Sequence, residues 1–199
     1  MHGGRALKVV SELPPIEELT PPHNDGAAAH LPGVQLPAIE LPSTEGGCVA
    51  LSDLVALTVV FVLPSIGGID GSLLEEWTAI PGARGCTAEA CGFRDRLHSF
   101  RSARVDVLGL SGQPGWQQRD AVERWRLPYP LLSDEQLQLA ASLGLPTLEF
   151  HSQTYLKRVT LVVSQGSKRL CTRSSLPTKP PSRRSRGSPR TRPPDRRLR

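Results

Sequence analysis

Residues 57–63 read LTVVFVL, β-branched and apolar on both alternating faces, which is the pattern of a central strand buried on both sides. Pro64 ends it. Residues 105–110 predict a second buried strand, 131–132 a third short one, and 155–163 (YLKRVTLVV) a fourth. Helical spacing lies between them. Over residues 86–101, Ala90, Phe93, Leu97 and Phe100 recur at three and four positions, while Arg94, Asp95 and Arg96 fall on the wet side. Residues 115–126 form a second predicted helix, and residues 134–143 a third, stopped by Gly144. Nearer the N-terminus, residues 35–41 and 48–51 flank the turn-forming segment PSTEGG and predict a hairpin. Strands alternating with helices predict an α/β domain around a mixed, largely parallel sheet.

The pattern also sets boundaries. Residues 1–33 are rich in Pro, Gly and Ala, with Pro14-Pro15 and Pro21-Pro22 breaking any regular element, so a disordered arm is expected there and a domain over 34–166. Residues 65–85 hold five glycines and read as a long loop of the kind that is functional or disordered. From 167 to 199 prolines alternate with arginines and serines with no apolar face, so a basic disordered tail is expected. Charge follows the same division. The 199 residues carry a net +5, but residues 168–199 alone are +11 and residues 1–167 are −6. A high isoelectric point therefore describes the tail, and it assigns no nucleic-acid or membrane affinity to the body.

No apolar run approaches the roughly 20 residues of a membrane helix, and residues 1–15 lack a secretory apolar stretch, so a cytoplasmic location is expected. In a reducing compartment Cys48, Cys86, Cys91 and Cys171 do not suggest a disulfide framework. Cys86 stands where a glycine-rich loop (PGARG) enters a helix. Unsatisfied backbone N–H groups and the positive end of the helix dipole favour a thiolate there, and only the thiolate is nucleophilic. Cys91 lies five residues on, about 7.5 Å further along the axis and on another face. Disulfides tolerate Cα separations up to about 6.8 Å, so this pair cannot bond while its helix is intact. A buried packing role for Cys91 and an incidental loop thiol at Cys86 account for the spacing equally well. A zinc site from Cys86, Cys91 and His98 lacks paired-knuckle spacing. Neither a CxxC motif nor a GxSxG elbow is present.

The run GCTAEACGFRD, followed in order by VDVLGLS, LPYPLLSDEQLQLAASLGL and LKRVTLVV, resembles the peroxiredoxins, in particular the peroxiredoxin Q or bacterioferritin comigratory protein branch of the AhpC/TSA superfamily. The likeness covers about residues 34–166. It implies a thioredoxin-like fold, a mixed central sheet flanked by helices, and a thiol-dependent peroxidase without metal, haem or flavin. By the same resemblance Cys86 is the peroxidatic cysteine, Cys91 the resolving cysteine, Arg158 the arginine that supports the thiolate and polarises the peroxide, and Glu89 the acid that orients Arg158. Each has a plainer reading. A strand arginine can simply face solvent, and an acid in a first helical turn suits the dipole and a capping box. The implied partners are a peroxide and a thioredoxin-like dithiol, with no membrane or nucleic acid, and the chain is expected to be a monomer.

Three departures from the family pattern stand out. Cys86 comes 22 positions after Pro64 instead of in the same short loop, Ala83 occupies the position of the motif threonine, and the family's closing strand and helix are expected to be missing. A shift of reading frame in a GC-rich gene from about Gly166 would yield such an Arg, Pro and Ser run. Alternative functions are a non-catalytic redox sensor of the same fold, or weak, sequence-independent binding of nucleic acid by the tail.

Overall fold

The computed structural model describes residues 25–68, 73–80, 83–164 and 170–173. At its centre lies β3 (Leu57–Val62), whose alternate residues face opposite layers. It pairs in parallel with β4 (Val105–Ser111), with Val60 opposite Leu108, and antiparallel with β8 (Val159–Val163), with Val59 opposite Val162. Beyond β4, β5 (Leu131–Ser133) is also parallel, and beyond β8, β9 (Leu170–Arg173) is antiparallel, giving the order β5-β4-β3-β8-β9. The sheet is therefore mixed, with two parallel and two antiparallel pairings.

Parallel neighbours need a crossover, and helices supply it. Between β3 and β4 the chain runs through α1 (Leu74–Ala79) and α2 (Cys86–Ser102), and between β4 and β5 through α3 (Gly115–Trp125). A fourth helix, α4 (Gln138–Leu143), ends at Gly144 in the left-handed conformation, as the sequence predicts. Two hairpins complete the fold. One joins β1 (Glu40–Pro42) to β2 (Cys48–Ala50), and the other joins β6 (Thr147–Phe150) to β7 (Gln153–Leu156).

Each face of the sheet has its own core. On one side Val60, Val62, Leu108, Leu110 and Leu161 pack with Leu51, Leu139, Leu143 and Leu156. On the other, Phe61, Leu63 and Val107 meet Cys86, Ala90, Phe93 and Leu97 of α2 and Ala121 of α3, with Phe61 stacked on Phe93 at 4.6 Å. The first core also takes in Leu31, fully buried, three residues ahead of Val34 where the hydropathy pattern starts the domain. A buried leucine contributes about 1.5–3 kcal/mol, and with the His30 ring bonded to the Leu143 carbonyl oxygen and the Lys157–Asp25 ion pair it anchors a segment that has no periodicity of its own.

Three expectations need correction. The closing strand expected to be missing is present as β9, inside the segment assigned to the basic tail. An edge strand needs only free backbone donors and acceptors opposite β8, and Leu170 to Arg173 contain no proline to remove one. The closing helix expected to be missing would fall beyond residue 173, outside the described residues. The single strand read over 155–163 is two strands, with Lys157 and Arg158 between them, because residues 153–156 fold back on β6 instead of joining the sheet. The loop read over 65–85 contains the short helix α1.

Candidate active site

The site sits at the head of α2. Gly85 caps that helix with φ 93°, a left-handed conformation natural to glycine, and the backbone then enters the helix at Cys86. The space beside that residue is tight as well. A Cβ at position 85 would lie 3.1 Å from Nη2 of Arg158. The absence of a side chain lets the guanidinium cross the helix start and reach the thiol.

Cys86 is buried, 3% exposed. Its Sγ donates to the carbonyl oxygen of Ala83 at 3.4 Å and receives Nη2 of Arg158 at 3.4 Å. The same Nη2 donates to the carbonyl oxygen of Arg84 at 2.5 Å. Nε of Arg158 lies 3.6 Å from Oε2 of Glu89, and neither atom has a hydrogen-bond partner, so this contact is an ion pair without a hydrogen bond. Burial raises the Glu89 carboxyl above its ordinary range, against the pull of Arg158. For Arg158 burial works to lower the pKa, but Cys86 and Glu89 outweigh it and hold the guanidinium firmly charged. The arrangement can therefore keep a positive charge against a sulfur that becomes negative or transfers electrons.

The structure thus brings Cys86, Arg158 and Glu89 together from α2 and from the β7–β8 junction. Arg158 does so from outside a strand, since the break in residues 155–163 aims its side chain at the helix start. Cys91 stands apart, in the same unbroken helix and half-buried. Above it, the Tyr129 hydroxyl donates to the carbonyl oxygen of Ala90 at 2.5 Å, and burial pushes the Tyr129 pKa well up. Cys48 is exposed in β2, away from this group.

Neither threonine near the site turns its hydroxyl to the sulfur. Thr78 donates to the carbonyl oxygen of Leu74 in its own helix, and Thr87 Oγ1 accepts the Gly67 N–H. Two features went unread in the sequence. The cradle at Gly85 could have been suspected from a glycine directly ahead of the helix-start cysteine. Trp77, 2% exposed, donates its indole N–H to the carbonyl oxygen of Ala83 at 3.1 Å, and nothing in its six-residue neighbourhood signals that contact.

A helix-start thiol beneath a buried arginine, on a mixed sheet covered on both faces, defines a thioredoxin-like thiol protein. Residues 76–168 match the AhpC/TSA family. The chloroplastic peroxiredoxin Q of Gentiana triflora is 38% identical over 76 residues, which are 36% of this chain and 35% of that protein. The chloroplastic peroxiredoxin Q of Arabidopsis thaliana is 39% identical over 62 residues, 31% of this chain and 29% of that protein. The match thus spans about a third of the length of these curated relatives. Among solved structures, peroxidoxin BcpB of Mycobacterium tuberculosis superposes with a TM-score of 0.58 at 29% identity, covering 72% of this chain and 85% of that one. The bacterioferritin comigratory protein of Xanthomonas campestris gives 0.57 at 17% identity over 73% and 88%, which speaks to the fold. Over residues 76–168 the chain is thus similar to the AhpC/TSA family, and these relatives and structural neighbours are peroxiredoxins.

Proposed function

We propose that the chain is a thiol-dependent peroxidase that reduces hydrogen peroxide and alkyl hydroperoxides at Cys86. The observation that carries this reading is the Arg158 guanidinium 3.4 Å from the Cys86 sulfur at the start of α2. As thiolate, Cys86 attacks one peroxide oxygen and the O–O bond breaks. The sulfur is oxidised to a sulfenic acid, and the departing alkoxide or hydroxide takes up a proton. Arg158 balances the charge on sulfur before attack and on the leaving oxygen during it. Glu89 holds the guanidinium from its far side. Cys91 then condenses with the sulfenic acid, releasing water and leaving a disulfide, which a thioredoxin-like dithiol reopens. Both thiols lie in one intact helix, so the first turns of α2 must unwind for this step.

Cys86→Ser is expected to abolish peroxide consumption, and Cys91→Ser to leave a single turnover that thioredoxin does not recycle. Both are read from peroxide loss in a coupled assay. Full steady-state turnover by the Cys86→Ser protein would overturn the assignment. The reading extends to a domain that takes in Leu31 at one end and β9 at the other, acting in the cytoplasm as a monomer. Support for its freedom from membranes is that no helix among the described residues is long and apolar enough to cross one.

A further inference from the structure

If the helix head must open, what holds it shut matters. Two side chains grip the backbone of the loop ahead of Cys86. Arg158 donates to the carbonyl oxygen of Arg84, and Trp77 donates to the carbonyl oxygen of Ala83, which also receives the Cys86 thiol. Arg158 belongs to the chemistry, whereas Trp77 touches no reacting atom. Trp77 comes from α1, a helix of six residues that is too short to be stable alone and so depends on how this side chain is seated. Its ring is buried edge-on against Phe150 at 5.1 Å and Tyr155 at 4.8 Å. Those residues belong to the β6–β7 hairpin, which leads two residues after β7 into Arg158. One aromatic cluster therefore joins the loop that carries the thiol to the segment that carries the arginine.

We propose that Trp77 is a positioning residue: its indole N–H, seated by Phe150 and Tyr155, latches the Ala83 carbonyl and holds Cys86 at the helix head against the opening that Cys91 requires. A neutral buried hydrogen bond is worth about 1 kcal/mol net, so removing it raises the opened population about five-fold.

The test is Trp77→Phe, which keeps an aromatic ring in the seat and removes the N–H. In the reduced protein, without peroxide, alkylation by iodoacetamide is followed peptide by peptide with mass spectrometry. Cys86, 3% exposed when the loop is closed, is expected to react about five-fold faster, with Cys91 and the exposed Cys48 unchanged. Trp116→Phe, altering an exposed tryptophan on α3, is expected to change nothing. Phe150→Leu, which loosens the seat but keeps the N–H, is expected to give a smaller increase at Cys86, and it decides the matter if Trp77→Phe does not fold. An unchanged Cys86 rate, or a parallel rise at Cys91 that marks general loosening, would overturn the proposal. With peroxide, conversion of sulfenic acid to disulfide should accelerate by a similar factor. That second arm rests on the peroxidase reading. A wild-type protein inert to peroxide removes that reading and leaves the alkylation result standing.

Discussion

At Glu89 the electrostatic balance can be turned into a measurement. Its carboxyl is raised above the ordinary 4.5, first by burial, with Arg158 only partly offsetting this. The folded state therefore holds this proton more tightly than the unfolded chain does. Stability should fall as pH rises from about 4.5 through the raised folded value, since the unfolded chain ionises freely where the folded one cannot. Glu89→Gln removes that titration. Its melting temperature should match the wild type's in acid and gain on it as pH climbs through the window, measured by calorimetry across a pH series. A variant that loses ground with rising pH would show a carboxylate whose pairing with Arg158 outweighs its desolvation.

At the scale of elements, β4 is packed closely at Gly109. A Cβ on Gly109 would lie 2.3 Å from Cδ2 of Leu131 and 2.9 Å from Cζ of Phe61, and Phe61 has no room to yield because it stacks on Phe93. Gly109→Ala is therefore expected to cost about 1–3 kcal/mol as overpacking, read as a lower urea midpoint. How far the elements could be read from sequence depends on what holds each one. β3, β4, α2 and α3 carry their own periodicity and lie within a residue of the predicted bounds. β6, β7 and α1 do not. β6 and β7 owe their pairing to one another, and α1 to a single tryptophan seated on them, so tertiary contact decides them and no local window reveals it. The site divides in the same way. Cys86, Glu89 and Arg158 were legible as motif positions, while the carbonyls of Ala83 and Arg84 became visible as partners only when the loop was folded.

Across the whole molecule the two edges of the sheet differ. β5 is closed, since Leu131 exchanges hydrogen bonds with the backbone and hydroxyl of Thr44. On the far side the α2 layer thins out: its core includes no residue of β8, and Leu57, Val59 and Val162 stay partly open on the face where Phe61 is sealed. Energetics should follow this gradient along one strand. Phe61→Ala is expected to cost about 3–5 kcal/mol, whereas Leu57→Thr, four residues away on the same face and 36% exposed, should cost under about 0.5 kcal/mol. Urea denaturation of both variants checks the contrast, and equal costs would show that the face is covered in solution.

Position 85 makes two demands of different kinds, one on the backbone torsion and one on space beside the guanidinium. An L-residue meets both at once, a strained torsion and a guanidinium that must give by a few tenths of an ångström. Handedness separates them: a D-alanine adopts positive φ without strain and carries its methyl where glycine has its other hydrogen, away from the position 3.1 Å from Arg158. The ribosomal code offers only an achiral answer at this point. The contact between thiol and arginine is therefore left undisturbed by a residue defined by having no handedness.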